Sequence, residues 1–247
     1  MKMQNFVQDL IMAGVKWELS DNSVGFMTDL ESVKKTERTR VSSVVPPISP
    51  ISAIDIDTAK AMAMRPTTTD SLCRMISEFN HPLRGGVSNV VPPSVAQNPN
   101  GLMIITDMPS SDDDASGHIM SGVPGELLDK MLNAIEMSRE TVSISPILFW
   151  RTPGGRTPSR NEMDLSRPFL NRFIELTEPR IILTLGTLAA NEMCGVDLMR
   201  NHGAETALAS GIRAFSIYHP NYLMLKPTAK ADVWSVLKTV QNLLKNS

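Results

Sequence analysis

The feature that most constrains this chain is an ordered alternation of short apolar runs with helical stretches through its second half. The runs "GLMIITD", "TVSISPILFW", "PRIILTLG" and "GIRAFSIYH" are each bounded by Gly, Pro, Asp or Ser, as buried strands are. Between them lie "GELLDKMLNAIEM", residues 160–177 and "TLAANEMC", and an amphipathic stretch over residues 229–245 closes the series through Val233, Leu237, Val240 and Leu244. Strands separated by helices must run parallel and bury both faces of their sheet. The pattern therefore predicts an α/β fold, a three-layer αβα arrangement around a central, mostly parallel four-stranded sheet. In such folds ligands bind beyond the carboxyl ends of the strands.

The N-terminal part reads differently. Phe6, Leu10, Gly14 and Trp17 recur at helical spacing, which predicts an amphipathic helix and tail over residues 1–35. Residues 36–69, with "VSSVVPPISPISAIDID" and "MRPTTTD", are Ser/Thr/Pro-rich and aperiodic and read as a flexible linker; together these segments offer a surface for a protein partner. The compact domain is expected over residues 70–247, opening with a helix "SLCRMISEF" capped by Asp70 and stopped before Pro82. Hydrophobic residues at 42% and charged residues at 20% are globular proportions, and 16 Met with 5% aromatics point to a soft core. Only Cys73 and Cys194 occur, which supports neither a disulfide framework nor a cysteine metal site and makes a reducing cytoplasm the expected location. No stretch approaches the roughly 20 apolar residues of a membrane span, and Gln8, Asp9 and Lys16 interrupt any signal-like core. A net charge of −2 draws no polyanion as a whole, so a nucleic acid would need a local basic surface.

The four strand ends deliver Asp107 and Pro109, Ser145 and Pro146, Thr184 and Gly186, and His219 and Pro220 to one crevice. A carboxylate and a histidine there can position water and stabilise a developing oxyanion, although each residue type also serves as a cap or packing group. Two neighbouring motifs lead elsewhere and stop short. Asp112, Asp114, Ser116 and Gly117 imitate a calcium loop whose final Glu is replaced by Val123. "TPGGRTPSR" is glycine-rich without being a phosphate-binding P-loop. Cys194, among apolar helix neighbours, reads as packing.

Several long motifs in order resemble the family-four type of the uracil-DNA glycosylase superfamily. "TDMPSSDDDASGHIMSGVPGELLD" runs without a gap against that family's GEAPGADEDxxGxPFVGxxGxLLD. "LFWRTPGGRTPS" resembles its RPPGNRxPT loop, "SRPFLNRFIELTEPRIILTLGTLAA" its helix-strand-glycine segment, and "YHPNYL" its HPxxL motif. The resemblance implies a monomeric enzyme of base excision repair that flips a uracil deoxynucleotide out of DNA and hydrolyses its N-glycosidic bond. It implies His219 as the group that stabilises the departing base, Asp107 as the carboxylate facing water or the sugar, and Asp113 as a second catalytic acid. The base pocket would be Thr106, Met108, Met120, Ser145 and Pro146. DNA would be met by Pro153, Gly154, Gly155 and Arg156, by Thr184 and Gly186, and by Asn221, Tyr222 and Leu223.

The departures from the family pattern fall on the pocket. Pro146 stands where an asparagine reads the base edge, and it has neither a side-chain donor nor an N–H. Met120 stands where an aromatic ring stacks on the base, Thr106-Asp107 replaces Gly-Glu, and Ser110 replaces a Gly. The four thiolate positions of the family's iron-sulfur cluster hold Glu78, His81, Trp150 and Ser166, so no cluster and no other metal is expected. Two readings follow: a glycosylase for uracil or another deaminated base, or an inactive descendant that binds DNA or a protein through the same crevice.

Overall fold

The structure is a computed structural model that describes residues 55–246. Strands β1 (Leu102–Thr106), β2 (Ser143–Pro146), β3 (Ile181–Leu185), β4 (Glu205–Ala207) and β5 (Arg213–Ile217) form one sheet in the order β2-β1-β3-β5-β4. The four strands expected from the sequence are parallel; the fifth, β4, pairs antiparallel with β5 and was not expected. It is three residues long with two of them exposed, so it carries no apolar run to announce it. The register sets Thr106 opposite both Pro146 and Leu185, and Leu185 opposite Ile217, so the parallel strands end level with one another.

Alternate residues point to opposite faces and both faces are buried, which makes three layers. Ile104, Ile144, Leu183 and Phe215 pack beneath α4 (Gly122–Asn133) and α8 (Lys230–Lys245), through Leu128, Leu132, Val233 and Leu237. Met103, Ile105, Ile182 and Ala214 pack on the other side beneath α2 (Thr69–Glu78), α5 (Arg160–Thr177) and α6 (Thr187–Cys194). Each fully buried large side chain there contributes about 1.5–3 kcal/mol.

Part of the segment read as a flexible linker is helical. Asp55 accepts the Thr58 N–H at 2.7 Å and caps α1 (Ile56–Ala63), whose Ala59 and Ala63 are buried in the same core as α5. Small alanines bury well but weigh little in a hydrophobic pattern, which hid this helix among the Ser and Thr. The next cap also moves: α2 is opened by a capping box of Thr68 and Ser71, and Asp70 lies inside its first turn. The helix, tail and linker readings that fall on residues 1–54 lie outside the described residues. No helix among the described residues is long and apolar enough to cross a membrane.

Candidate active site

Beyond the ends of β1 and β5 lies a cavity of about 420 Å³. β1 runs into its wall as Thr106, Asp107 and Met108; β5 runs through Tyr218 to His219, which starts the short helix α7 (Pro220–Leu225). Residues 110–124 supply a third wall.

Asp107 Oδ1 accepts the Ala189 N–H at 2.7 Å, at the N-terminus of α6, and Leu188 N–H also supports the carboxylate. Burial outweighs these amides and pushes the carboxyl up to about 6. The approach to α6 requires Gly186: its φ is +103°, and a Cβ there would collide with the Asp107 carboxylate. The result is a carboxylate that is ionised at neutral pH and basic enough to take a proton.

His219 is fixed as a donor. Its Nδ1 accepts the Asn221 N–H at 3.1 Å, so the neutral ring carries its proton on Nε2. Burial pushes the ring down to about 4, against the opposing pull of the Asp113 charge. At neutral pH the crevice therefore holds an uncharged imidazole with an N–H to offer, suited to an oxygen that gains negative charge.

The acid-rich loop after β1 is mostly self-engaged. Ser110 and Asp113 form the capping box of α3 (Ser111–Ser116), and Asp113 accepts Ser110 N–H at 2.9 Å through Oδ2 and Ser121 N–H at 2.6 Å through Oδ1. Both oxygens of Asp113 thus fasten the two ends of the loop, and the residue also lines the crevice. Asp114 accepts the Ser88 and Asn89 amides at 2.9 and 3.0 Å, and Gly122 at φ +66° makes room for Asp112. No group of three or more His, Cys, Asp or Glu among the described residues can hold a metal ion.

Met120 is held in place by neighbours on both sides. Its φ is +54°, unusual for a residue with a side chain, and its carbonyl accepts Arg139 Nη2 at 2.6 Å. Arg139 also donates to the Ile119 carbonyl at 3.0 Å and pairs with Asp129 at 2.6 Å. A Cβ at Gly125 would overlap the Met120 carbonyl, so α4 can only approach this closely with glycine there. The Met120 sulfur lies 3.7 Å from Thr106 Oγ1, and that of Met108 3.2 Å from Thr152 Oγ1.

Of the residues expected at the site, Thr106, Asp107, Met108, Asp113 and Met120 line the crevice, as do Gly155, His219, Asn221 and Tyr222. Others do not reach it. Ser145 and Pro146 are buried within β2, with Ser145 Oγ donating to the Pro146 carbonyl at 3.0 Å. Thr184 is buried and bonded to Ser216 at 2.7 Å, and Leu223 belongs to the core under α4 and α8. Pro153 and Gly154 are exposed beside the crevice, and Arg156 is occupied by a two-pronged pair with Glu162 at 2.9 and 2.6 Å. That guanidinium pulls the Glu162 carboxyl down to about 2. Five lining residues were not singled out from the sequence: Ser111, Ser121, Pro124, Arg151 and Leu225. The signal for Leu225 is helical: three residues after Tyr222 it returns to the crevice side, 86% exposed, while Leu223 turns inward.

None of the four positions that align with the family's cluster thiolates carries a thiol. Trp150 and His81 stack at 4.2 Å and 3° in a packed group with Phe79, Phe149 and Phe169. His81 Nε2 faces the Glu162 carbonyl at 3.1 Å, its Nδ1 accepts Leu83 N–H at 3.2 Å, Ser166 Oγ donates to the Ile147 carbonyl, and Glu78 is exposed.

A family model described as the uracil DNA glycosylase superfamily matches residues 93–243. The type-4 uracil-DNA glycosylase of Pyrobaculum aerophilum is 27% identical over 143 residues, which are 53% of this chain and 72% of that protein. That of Archaeoglobus fulgidus is 26% identical over 160 residues, 61% of this chain and 80% of that protein. That of Saccharolobus solfataricus is 38% identical over a shorter stretch of 86 residues, 34% of this chain and 40% of that protein.

Proposed function

Since this chain belongs to the uracil-DNA glycosylase superfamily, we propose that it hydrolyses the N-glycosidic bond of uracil or another deaminated base in DNA, in base excision repair. The nucleotide must leave the stack because its glycosidic carbon is inaccessible in a duplex. As the bond breaks, positive charge gathers on the sugar and negative charge on the base oxygens. The Asp107 carboxylate opposes the first and accepts a proton from the attacking water, whose hydroxyl bonds to the sugar carbon. The His219 Nε2–H stabilises the second by hydrogen bonding to the base. The observation that carries this reading is the pairing, in one crevice, of a carboxylate raised to about 6 with an imidazole whose free nitrogen is fixed as a neutral donor.

Met120 covers the base with a polarizable, immobilised side chain in place of a ring. Leu225 and the Arg151 guanidinium at the mouth suit the gap left in the stack and a phosphate. The enzyme works as a monomer in the cytoplasm without an iron-sulfur cluster, its place being filled by the Trp150 and His81 stack.

Purified protein is incubated with single- and double-stranded oligonucleotides carrying uracil, hypoxanthine or xanthine, and abasic sites are then cleaved. Cleavage that His219→Ala reduces by about 10²–10³-fold is expected. No cleavage of any base beside an active control sinks the proposal. A second reading, a DNA-binding descendant without chemistry, is favoured by one observation: Pro146 puts no side-chain amide at the end of β2 and lies buried. Uracil excision gained by Pro146→Asn with Met120→Phe from an inactive parent would establish it.

A further inference from the structure

Two rings on the flank of the crevice are built alike. Tyr222, on α7, has the Lys226 ammonium 6.0 Å from its ring centroid. Trp234, on α8, has the Lys238 ammonium 5.7 Å from its own. In both, the lysine follows the ring by four residues. Tyr222 also lines the crevice and is backed by Tyr218 at 4.7 Å, which rests on His202 at 4.2 Å.

Trp234 faces a second hollow of about 240 Å³ between α4 and α8, walled by Leu127, Met131 and Leu223 and edged by Lys130 and Lys230. Leu223 sits next to Tyr222 on α7, so this short helix presents one side to the crevice and another to the second hollow. Lys130, Lys226, Lys230 and Lys238 have no carboxylate within 4.0 Å among the described residues. The acids nearby are Glu126, Asp129, which Arg139 holds, and Asp232, which faces the hollow on the far side of α8 beside His202. Trp234 is 38% exposed.

We propose that this groove binds single-stranded DNA next to the flipped nucleotide, with a base stacked on Trp234 and phosphates neutralised by Lys226, Lys230 and Lys238. Rings alternating with unpaired lysines are what an unpaired strand requires, since every base has a face to stack and every linkage a charge. In a duplex those faces are already covered by neighbouring bases, so the groove selects single strands. Its cations match a polyanion in a protein whose net charge of −2 does not. The inference rests on the glycosylase reading for the identity of the strand, and on the geometry of α7 and α8 for the surface.

The test is fluorescence anisotropy of the full chain with a labelled oligothymidine, which holds no uracil, against the same sequence as a duplex. The parent is expected to bind the single strand several-fold more tightly than the duplex. Trp234→Ala weakens single-strand binding about tenfold and Trp234→Phe restores most of it, while duplex binding changes less than twofold. Lys230→Glu with Lys238→Glu lowers the slope of log affinity against log salt by about 0.7 per lysine. Unchanged melting temperatures show that these exposed substitutions leave the fold intact. Equal binding by parent and variants overturns the proposal, as does displacement of the strand by a polyglutamate peptide at equal concentration, which would assign the groove to an acidic protein segment. Uracil cleavage with variant-insensitive binding defeats this inference alone; Trp234-dependent single-strand binding without cleavage of any base upholds it and defeats the glycosylase reading alone.

Discussion

Asp107 and His219 move in opposite directions from their ordinary values, and stability follows each with its own sign. For His219, lowered to about 4, the unfolded chain binds more protons between pH 4 and 6.5, so its contribution is full above that window and lost as pH falls through it. For Asp107, raised to about 6, the folded chain holds the extra proton, so its contribution is lost as pH rises from about 4 to 6. Asp107→Asn is therefore expected to raise stability at pH 8 by about 1–3 kcal/mol, measured by urea unfolding, with the gain gone near pH 4. The same variant removes an acidic limb in the single-turnover excision rate, centred near pH 6 in the parent. Gly186→Ala is expected to slow excision at least tenfold, because its φ of +103° and its contact with Asp107 both resist a side chain. Asp107 and His219 were legible because they follow apolar runs directly. The pairing of Arg156 was not legible for the opposite reason: a motif position says nothing about whether Glu162 holds the guanidinium.

At the scale of elements, the loop after β1 shows what the acids "DDD" are for. Asp113 satisfies the amides of Ser110 and Ser121 and closes a capping box, so Asp113→Ala is expected to cost about 2 kcal/mol in urea unfolding. It is also expected to slow excision by displacing Met120, without moving the acidic limb that belongs to Asp107. Arg139→Ala, remote from the crevice, is expected to act on excision the same way through the Met120 carbonyl. Strand and helix order was legible from periodicity over long apolar stretches. Elements built from few or small residues were not: α1 packs through alanines, β4 is three residues long, and α7 turns Leu223 inward within one and a half turns. Which side of α7 faces the crevice is decided by helical rotation, and no spacing motif states it.

At the scale of the molecule, the aromatic group around Trp150 is packed core at positions where the family pattern has thiolates, and on the proposed cluster-free reading chelators are expected to leave the melting temperature unchanged. Trp150→Ala is expected to cost about 3–5 kcal/mol. The sheet's margins have a further consequence. β4 is short and carries the Arg213 and Glu205 pair at 2.5 Å, while β2 is covered by the segment before β1, whose Ser94 exchanges both amide bonds with Ile144 at 2.8 and 2.9 Å. A bare edge strand is a template for another copy. The stretch ahead of β1 is thus a guard against aggregation, and Ser94→Pro, which removes the amide donated to Ile144, is expected to scatter light as copies self-associate through the loosened β2 edge, at concentrations where the parent stays clear.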